Sequence, residues 1–207
     1  MADFSINASC STSSARAGIL TINNIKVNTP AFMPVGTYGA IKTLSPKEIL
    51  SLDYDLILAN TYHLYLRPGV EILKKINGLH NFMNWNKLIL TDSGGFQIYS
   101  LKGLRKIEND GAVFQSHIDG KKHKLTPENV VDIQRVIGSD IMMMLDVCPS
   151  GDDSLKKWNS AVELTTLWAR NAMKYYKNTD SYYDKEQILV PIIQGGTNKG
   201  LRNKSAS

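Results

Sequence analysis

The chain has 207 residues, 43% of them hydrophobic and 21% charged, which excludes global disorder and allows one sizeable core. Lys and Arg outnumber Asp and Glu by 24 to 19, a formal charge of +5. That mild excess suits a polyanionic partner such as nucleic acid, and equally suits simple solubility.

The N-terminal stretch "MADFSINASCSTSS" has no basic start followed by an apolar core, so it does not read as a signal peptide. No apolar run approaches the roughly 20 residues that span a bilayer. The chain reads as cytosolic, and the sequons at Asn7 and Asn203 then carry no meaning. Cys10 and Cys148 form neither a CxxC pair nor a zinc spacing.

Strand and helix signals alternate along the chain. "AFMPVG" (31–36) reads as a short buried strand. "SPKE" then supplies Ser45 as N-cap, Pro46 at the first helical position and Glu48 as the capping-box acid. "DLILAN" (55–60) is a second strand. Pro68 opens a helix, "PGVEILKKING", that Asn77-Gly78 closes with a left-handed turn. "KLILTD" (87–92) is the third strand. In "VFQSHIDGKKHKL" (113–125), Asp119-Gly120 signals a two-residue hairpin. Thr126-Pro127 caps the helix "PENVVDIQRVIG", which Gly138 ends. "DIMMMLD" (140–146) is the fourth strand. A long helix over 153–177 repeats Leu155, Trp158, Val162, Thr165, Trp168, Ala172 and Tyr175 every three or four residues, one buried face. "QILVPIIQGG" (187–196) is the fifth strand. Nearly continuous apolar strands between amphipathic helices imply parallel βα units, in an open sheet or part of an eight-stranded barrel.

Each buried strand ends in a group that can do chemistry: Asn60 with Thr61, Asp92 with Ser93, Asp146, and Gln194 with Gly195-Gly196. In parallel α/β folds the carboxyl ends of the strands share one rim, where active sites form. Taken singly, each has a bland reading. Asp92 or Ser93 caps a helix. Gly94-Gly95 makes a turn or a backbone anion nest, although no Lys-Ser/Thr follows to make a P-loop. Asp146 pairs with a cation, and Gln194 satisfies a nearby backbone group. His63, His80, His117 and His123 lack metal-ligand spacing and read as core or surface residues; Met142 to Met144 read as core. Four strands ending alike are harder to assign to packing.

"TDSGGFQIYSL" (91–101) resembles the signature of the tRNA-guanine transglycosylases, enzymes that insert queuine or its precursor preQ1 into tRNA. "TPAFMPVGT" (29–37), "LANTYHLYLRPG" (58–69), "SDIMMMLDVCP" (139–149) and "IIQGG" (192–196) do so too, in the family's order, and "ARAGIL" (15–20) fits its N-terminal segment. The resemblance implies an α/β fold, an incomplete (β/α)8 TIM barrel. About five βα units would be joined by an N-terminal β segment and an inserted hairpin, with the whole of 1–207 as the N-terminal part of one barrel domain. It implies a cytoplasmic pentosyltransferase of queuosine biosynthesis, exchanging guanine at the anticodon wobble position. tRNA and guanine, preQ1 or queuine would be its partners, in a homodimer away from membranes.

The same resemblance implies roles. Asp92 is the general acid/base. Ser93, Asp146, Gln194 and the glycines Gly94, Gly95, Gly195 and Gly196 read the guanine-like base. Phe96 stacks on it, and Asn60 orients Asp92. The family's attacking aspartate and its structural zinc ligands, three cysteines and a histidine, lie beyond the "QGG" segment. The expectation is therefore that the C-terminal barrel half and the zinc region are absent and that this chain alone is inactive. The alternative is a non-catalytic truncated paralogue that binds tRNA or a partner subunit. The wording "LANTYHLYLRPG" favours the bacterial-type enzyme over the archaeal type.

Overall fold

The computed structural model describes residues 2–101 and 103–207. The first three strands, β1 (Asp3–Ser9), β2 (Arg16–Ile22) and β3 (Ile25–Thr29), form an antiparallel sheet. Asn23 and Asn24 turn β2 into β3 with positive φ of 50° and 64°, the left-handed pair that a tight hairpin needs and asparagine tolerates. The expected strand over 31–36 is reduced to a parallel bridge from Val35 to Leu58. It is held by Leu58 N–H to Pro34 O at 2.9 Å and Gly36 N–H to Leu58 O at 2.7 Å. Pro34 has no N–H to extend the ladder.

α1 (Pro46–Ser51) starts on the expected capping box of Ser45 and Glu48. β4 (Leu56–Ala59) leads into α2 (Thr61–Leu64), capped by Asn60. The next helix does not open at Pro68. Arg67 is extended (φ −151°, ψ 127°), and after the wide turn Tyr65–Gly69 α3 runs over Val70–Lys75. A residue before proline avoids the helical region, so the helix begins past it. Asn77 (φ 58°) ends this stretch as expected, with Gly78 N–H donating to Leu73 O at 2.8 Å. α4 (Leu79–Met83) precedes β5 (Leu88–Thr91) and α5 (Gly95–Ser100).

β6 (Arg105–Glu108), β7 (Gly111–Gln115) and β8 (Lys122–Leu125) make a second antiparallel sheet, one strand more than the expected hairpin. Its β7–β8 turn is longer than two residues. The ladder stops at Gln115–Lys122. Ser116 Oγ then accepts the N–H of Ile118 (3.1 Å) and of Asp119 (3.4 Å), so these residues form a local turn rather than pair.

α6 (Pro127–Ile137) has both its expected ends, the Thr126 cap and left-handed Gly138. The last elements are β9 (Ile141–Met143), α7 (Leu155–Lys177), β10 (Ile188–Val190) and α8 (Lys199–Ala206). β9 and β10 are shorter than the apolar runs that hold them. β4, β5, β9 and β10 form one parallel sheet in the order β10-β9-β5-β4. With the bridge at Val35, five parallel segments lie side by side in chain order.

The main core sits between this sheet and the helices, and includes Ile57, Leu64, Leu73, Trp85, Ile89, Val130, Ile137 and Trp168. On α7, Val162, Thr165, Trp168 and Ala172 are buried as expected, whereas Leu155 is exposed. At the amino ends of the strands, Ile22 and Val27 of the first sheet pack with Leu56, Leu88 and Ile141. The β2–β3 hairpin thereby closes one end of the parallel sheet. The polar strand ends lie at the other.

Candidate active site

β4, β5, β9 and β10 are parallel, so their carboxyl ends come out together. Asn60 follows β4. Its Oδ1 accepts the N–H of His63 at 3.1 Å, capping α2. Its Nδ2 donates to Asp92 Oδ2. One amide thus starts a helix and holds a carboxylate on the neighbouring strand.

Asp92 follows β5. Its Oδ1 accepts the N–H groups of Thr61 and Gly94, each at 3.1 Å, the second being a local Asx turn. Gln97 Nε2 reaches Oδ2 at 3.4 Å. The Thr61 hydroxyl donates to the Asp92 backbone carbonyl. Burial is the largest influence on the Asp92 carboxyl and raises its pKa from 3.8 to about 6. The N–H donors of Thr61, Gly94 and Gln97 pull the other way, and the negative charge of Asp146 adds to the rise.

Asp146 follows β9 and carries a second set of bonds. Ser93 Oγ donates to its Oδ1 at 3.0 Å, and Gln194 Nε2 to its Oδ2 at 2.6 Å. Burial raises this pKa too, against the opposing effect of those two donors. Ser93 Oγ also accepts the Gly95 N–H at 3.1 Å. Gly95 must be glycine: a Cβ there would stand 2.7 Å from both the backbone oxygen and Oδ1 of Asp146. Gly94 has φ +81°, and a Cβ there would stand 3.2 Å from the Tyr62 Cβ, so the pair turns the chain and lets α5 start against the carboxylate.

Asn60, Asp92, Ser93, Gly94, Gly95, Asp146 and Gln194 are therefore joined in one connected region. Gly195 and Gly196 are adjacent to it but pack elsewhere, Gly195 on α8 and Gly196 on Trp158. Phe96 is 62% exposed at the start of α5. The Gln194 amide binds the Asp146 side chain rather than a backbone group.

The sequence reading singles out Thr61 beside Asn60 at the end of β4, though not as a donor to Asp92, and misses Gln97 altogether. Thr61 acts largely through its backbone N–H, which leaves no compositional trace. Gln97 could have been found. It is three residues past the Gly94 N-cap, where a Gln side chain reaches back over the helix start.

The histidines divide. Tyr62 Oη lies 2.8 Å from His117 Nδ1, and Tyr65 Oη lies 3.0 Å from His123 Nδ1, joining α2 and the turn after it to the β6–β8 sheet. His63 packs between Tyr38 and Tyr62, and burial lowers its pKa. His80 lies at the opposite end, 3.1 Å from Asp140. Among the described residues, no three His, Cys, Asp or Glu side chains are grouped to hold a metal ion. Among them, too, no helix is long and apolar enough to cross a membrane.

A family model described as Queuine tRNA-ribosyltransferase matches residues 10–207. A curated protein of that name from Leptospira biflexa serovar Patoc is 52% identical over 192 residues, which cover 92% of this chain and 50% of the relative. One from Caldanaerobacter subterraneus subsp. tengcongensis is 51% identical over 195 residues, 93% of this chain and 50% of the relative. One from Fusobacterium nucleatum subsp. nucleatum is 47% identical over 191 residues, 92% and 50%. The chain spans about half the length of the curated relatives it matches.

Proposed function

The chain belongs to the queuine tRNA-ribosyltransferase family, and on that premise we propose that it carries the base-reading and proton-transferring part of a tRNA-guanine transglycosylase. The reaction exchanges guanine at the anticodon wobble position for preQ1 or queuine. The parallel segments are read as consecutive strands of a (β/α)8 barrel, a reading supported by their side-by-side order. The observation that carries the proposal is the polar chain at the strand ends: Asn60 and Gln97 on Asp92, and Ser93 and Gln194 on Asp146.

A guanine face offers a ring N–H and an amino group side by side, which one carboxylate accepts together. Ionised Asp146 has about four lone-pair sites. It can take both while Ser93 and Gln194 still hold its orientation. The base's carbonyl oxygen takes an N–H from Gln194 or the backbone near Gly195. Bases lacking those groups leave buried donors and acceptors unpaired, and are rejected. Phe96, exposed at the rim, supplies a stacking face worth about 1–3 kcal/mol.

In the exchange, a carboxylate attacks the ribose C1′ and the glycosidic bond breaks. Asp92 hands its proton to the departing base and takes one back from the incoming base. A pKa near 6 suits a group that must do both near neutrality. The resemblance puts the attacking carboxylate beyond Gly196, and residues 197–207 contain no Asp or Glu. The 207 residues by themselves are therefore read as binding the base without exchanging it.

The test is incorporation of labelled guanine into tRNA by the complete protein. Asp92→Asn lowers the rate by about 100-fold or more, as expected for loss of an acid/base group. Asp146→Asn weakens guanine binding with little change in tRNA affinity. Full exchange by Asp92→Asn would refute the assignment. Retained tRNA binding with no exchange by the unsubstituted protein would favour the non-catalytic reading.

A further inference from the structure

Every hydrogen-bond partner of the Asp92 carboxylate is a donor. Oδ1 faces the N–H groups of Thr61 and Gly94, and Oδ2 faces the amides of Asn60 and Gln97. That shell suits a carboxylate and leaves a proton on Asp92 no acceptor. Burial nonetheless keeps the group protonated over part of its working range. Some partner must change role.

Backbone N–H groups cannot. Asn60 is pinned, because its Oδ1 is committed to the His63 N–H, and reversing the amide would lose the cap of α2. Gln97 is not pinned. Its Nε2 bond to Asp92 is the longest of the four at 3.4 Å, and its Oε1 is buried with no partner. The two ends of a carboxamide are close in size and opposite in function. A half-turn exchanges donor for acceptor in the same space.

We propose that Gln97 is a positioning residue whose side-chain amide reverses with the protonation state of Asp92. It donates through Nε2 to the ionised carboxylate and accepts through Oε1 from the Asp92 O–H. The reversal gives the orphaned oxygen its partner and holds the proton in one direction. This rests on Asp92 as the proton carrier of the proposed exchange. The charged group that bears on Asp92 is Asp146, and among the described residues no Lys, Arg or His lies within ion-pair distance of it.

The experiment follows the Asp92 carboxyl carbon by NMR in protein labelled at aspartate, across pH, without tRNA. In Gln97→Met the protonated form loses its only acceptor, while the ionised form loses the longest of four donors. The Asp92 pKa then falls by about 0.5–1 unit, and the acidic limb of the exchange profile moves the same way. A Gln97 that only donates predicts the opposite, a rise. A rise or no change overturns the proposal. The unsubstituted protein gives a second reading that needs no variant to fold: the Gln97 side-chain N–H resonances titrate with the Asp92 midpoint. Flat Gln97 signals while Asp92 titrates also overturn it. Neither NMR measurement uses catalysis, so full exchange by Asp92→Asn would sink the catalytic reading separately.

Discussion

Asp92 costs stability where it is buried. Its folded pKa of about 6 stands above the ordinary 3.8, so the folded state binds that proton more tightly than the unfolded chain. The stability gained this way is fully present below about pH 4 and is lost as pH rises through about 6. At neutral pH the buried carboxylate is a net burden. Asp92→Asn removes it and keeps an oxygen for the N–H donors of Thr61 and Gly94. Its Nδ2 would face the Asn60 amide, a donor that cannot reverse, at a cost that does not change with pH. The stability of the variant relative to the unsubstituted protein is therefore expected to be up to about 3 kcal/mol better at pH 7.5 than at pH 4. Urea unfolding at the two pH values measures the difference, and an equal effect at both would assign it to something other than ionisation.

At the scale of elements, α6 fastens the sheet just below the site through one amide. Gln134 is fully buried. Its Oε1 accepts from the Thr91 hydroxyl at 2.7 Å and from the Met143 N–H at 3.1 Å, and its Nε2 donates to Met143 O at 2.9 Å. It pairs with the end of β9 as another strand would, and steadies Thr91 next to Asp92. Gln134→Leu strands these partners in the core. The expected loss is about 2–4 kcal/mol in thermal or denaturant unfolding, well beyond the usual effect of a conservative change in size.

What could be read before folding divides along the same lines. The Ser45–Glu48 box, the Thr126 cap and Gly138 follow local rules that neighbours do not override, and they stand where expected. β1 alternates Phe4, Ile6 and Ala8 with polar residues, a strand pattern that went unread, and all seven of its residues are exposed. β6, Arg-Lys-Ile-Glu, has almost no apolar signal and is placed by pairing with β7. The apolar run after β9 leaves the ladder early, since Met144 to Asp146 carry the chain out to the rim. The strand-end residues of the site were legible because carboxylates and amides after apolar runs are conspicuous. Their exact bonding partners depend on which strands adjoin, and sequence order alone does not give that.

As a whole, the molecule separates its two ends. The β2–β3 hairpin inserts Ile22 and Val27 beneath the sheet against Leu56, Leu88 and Ile141. The Asn23 amide ties the turn to Asp140 Oδ1 at 2.9 Å and to the Glu186 carbonyl at 3.0 Å. Ile22 is completely buried, so Ile22→Ala is expected to cost about 2–4 kcal/mol. Guanine affinity of the folded protein should be unchanged. A calorimetric titration below the melting transition checks this, and weakened binding there would show that the two ends are coupled.

Among the described residues, the floor laid by that hairpin shares no side chain with the polar rim, although the same strands run from one to the other. Substitutions that harden the floor can offset the burden of keeping two carboxylates buried above it. Heat tolerance and the proposed choice of base can then drift apart over evolutionary time, each adjusted without disturbing the other.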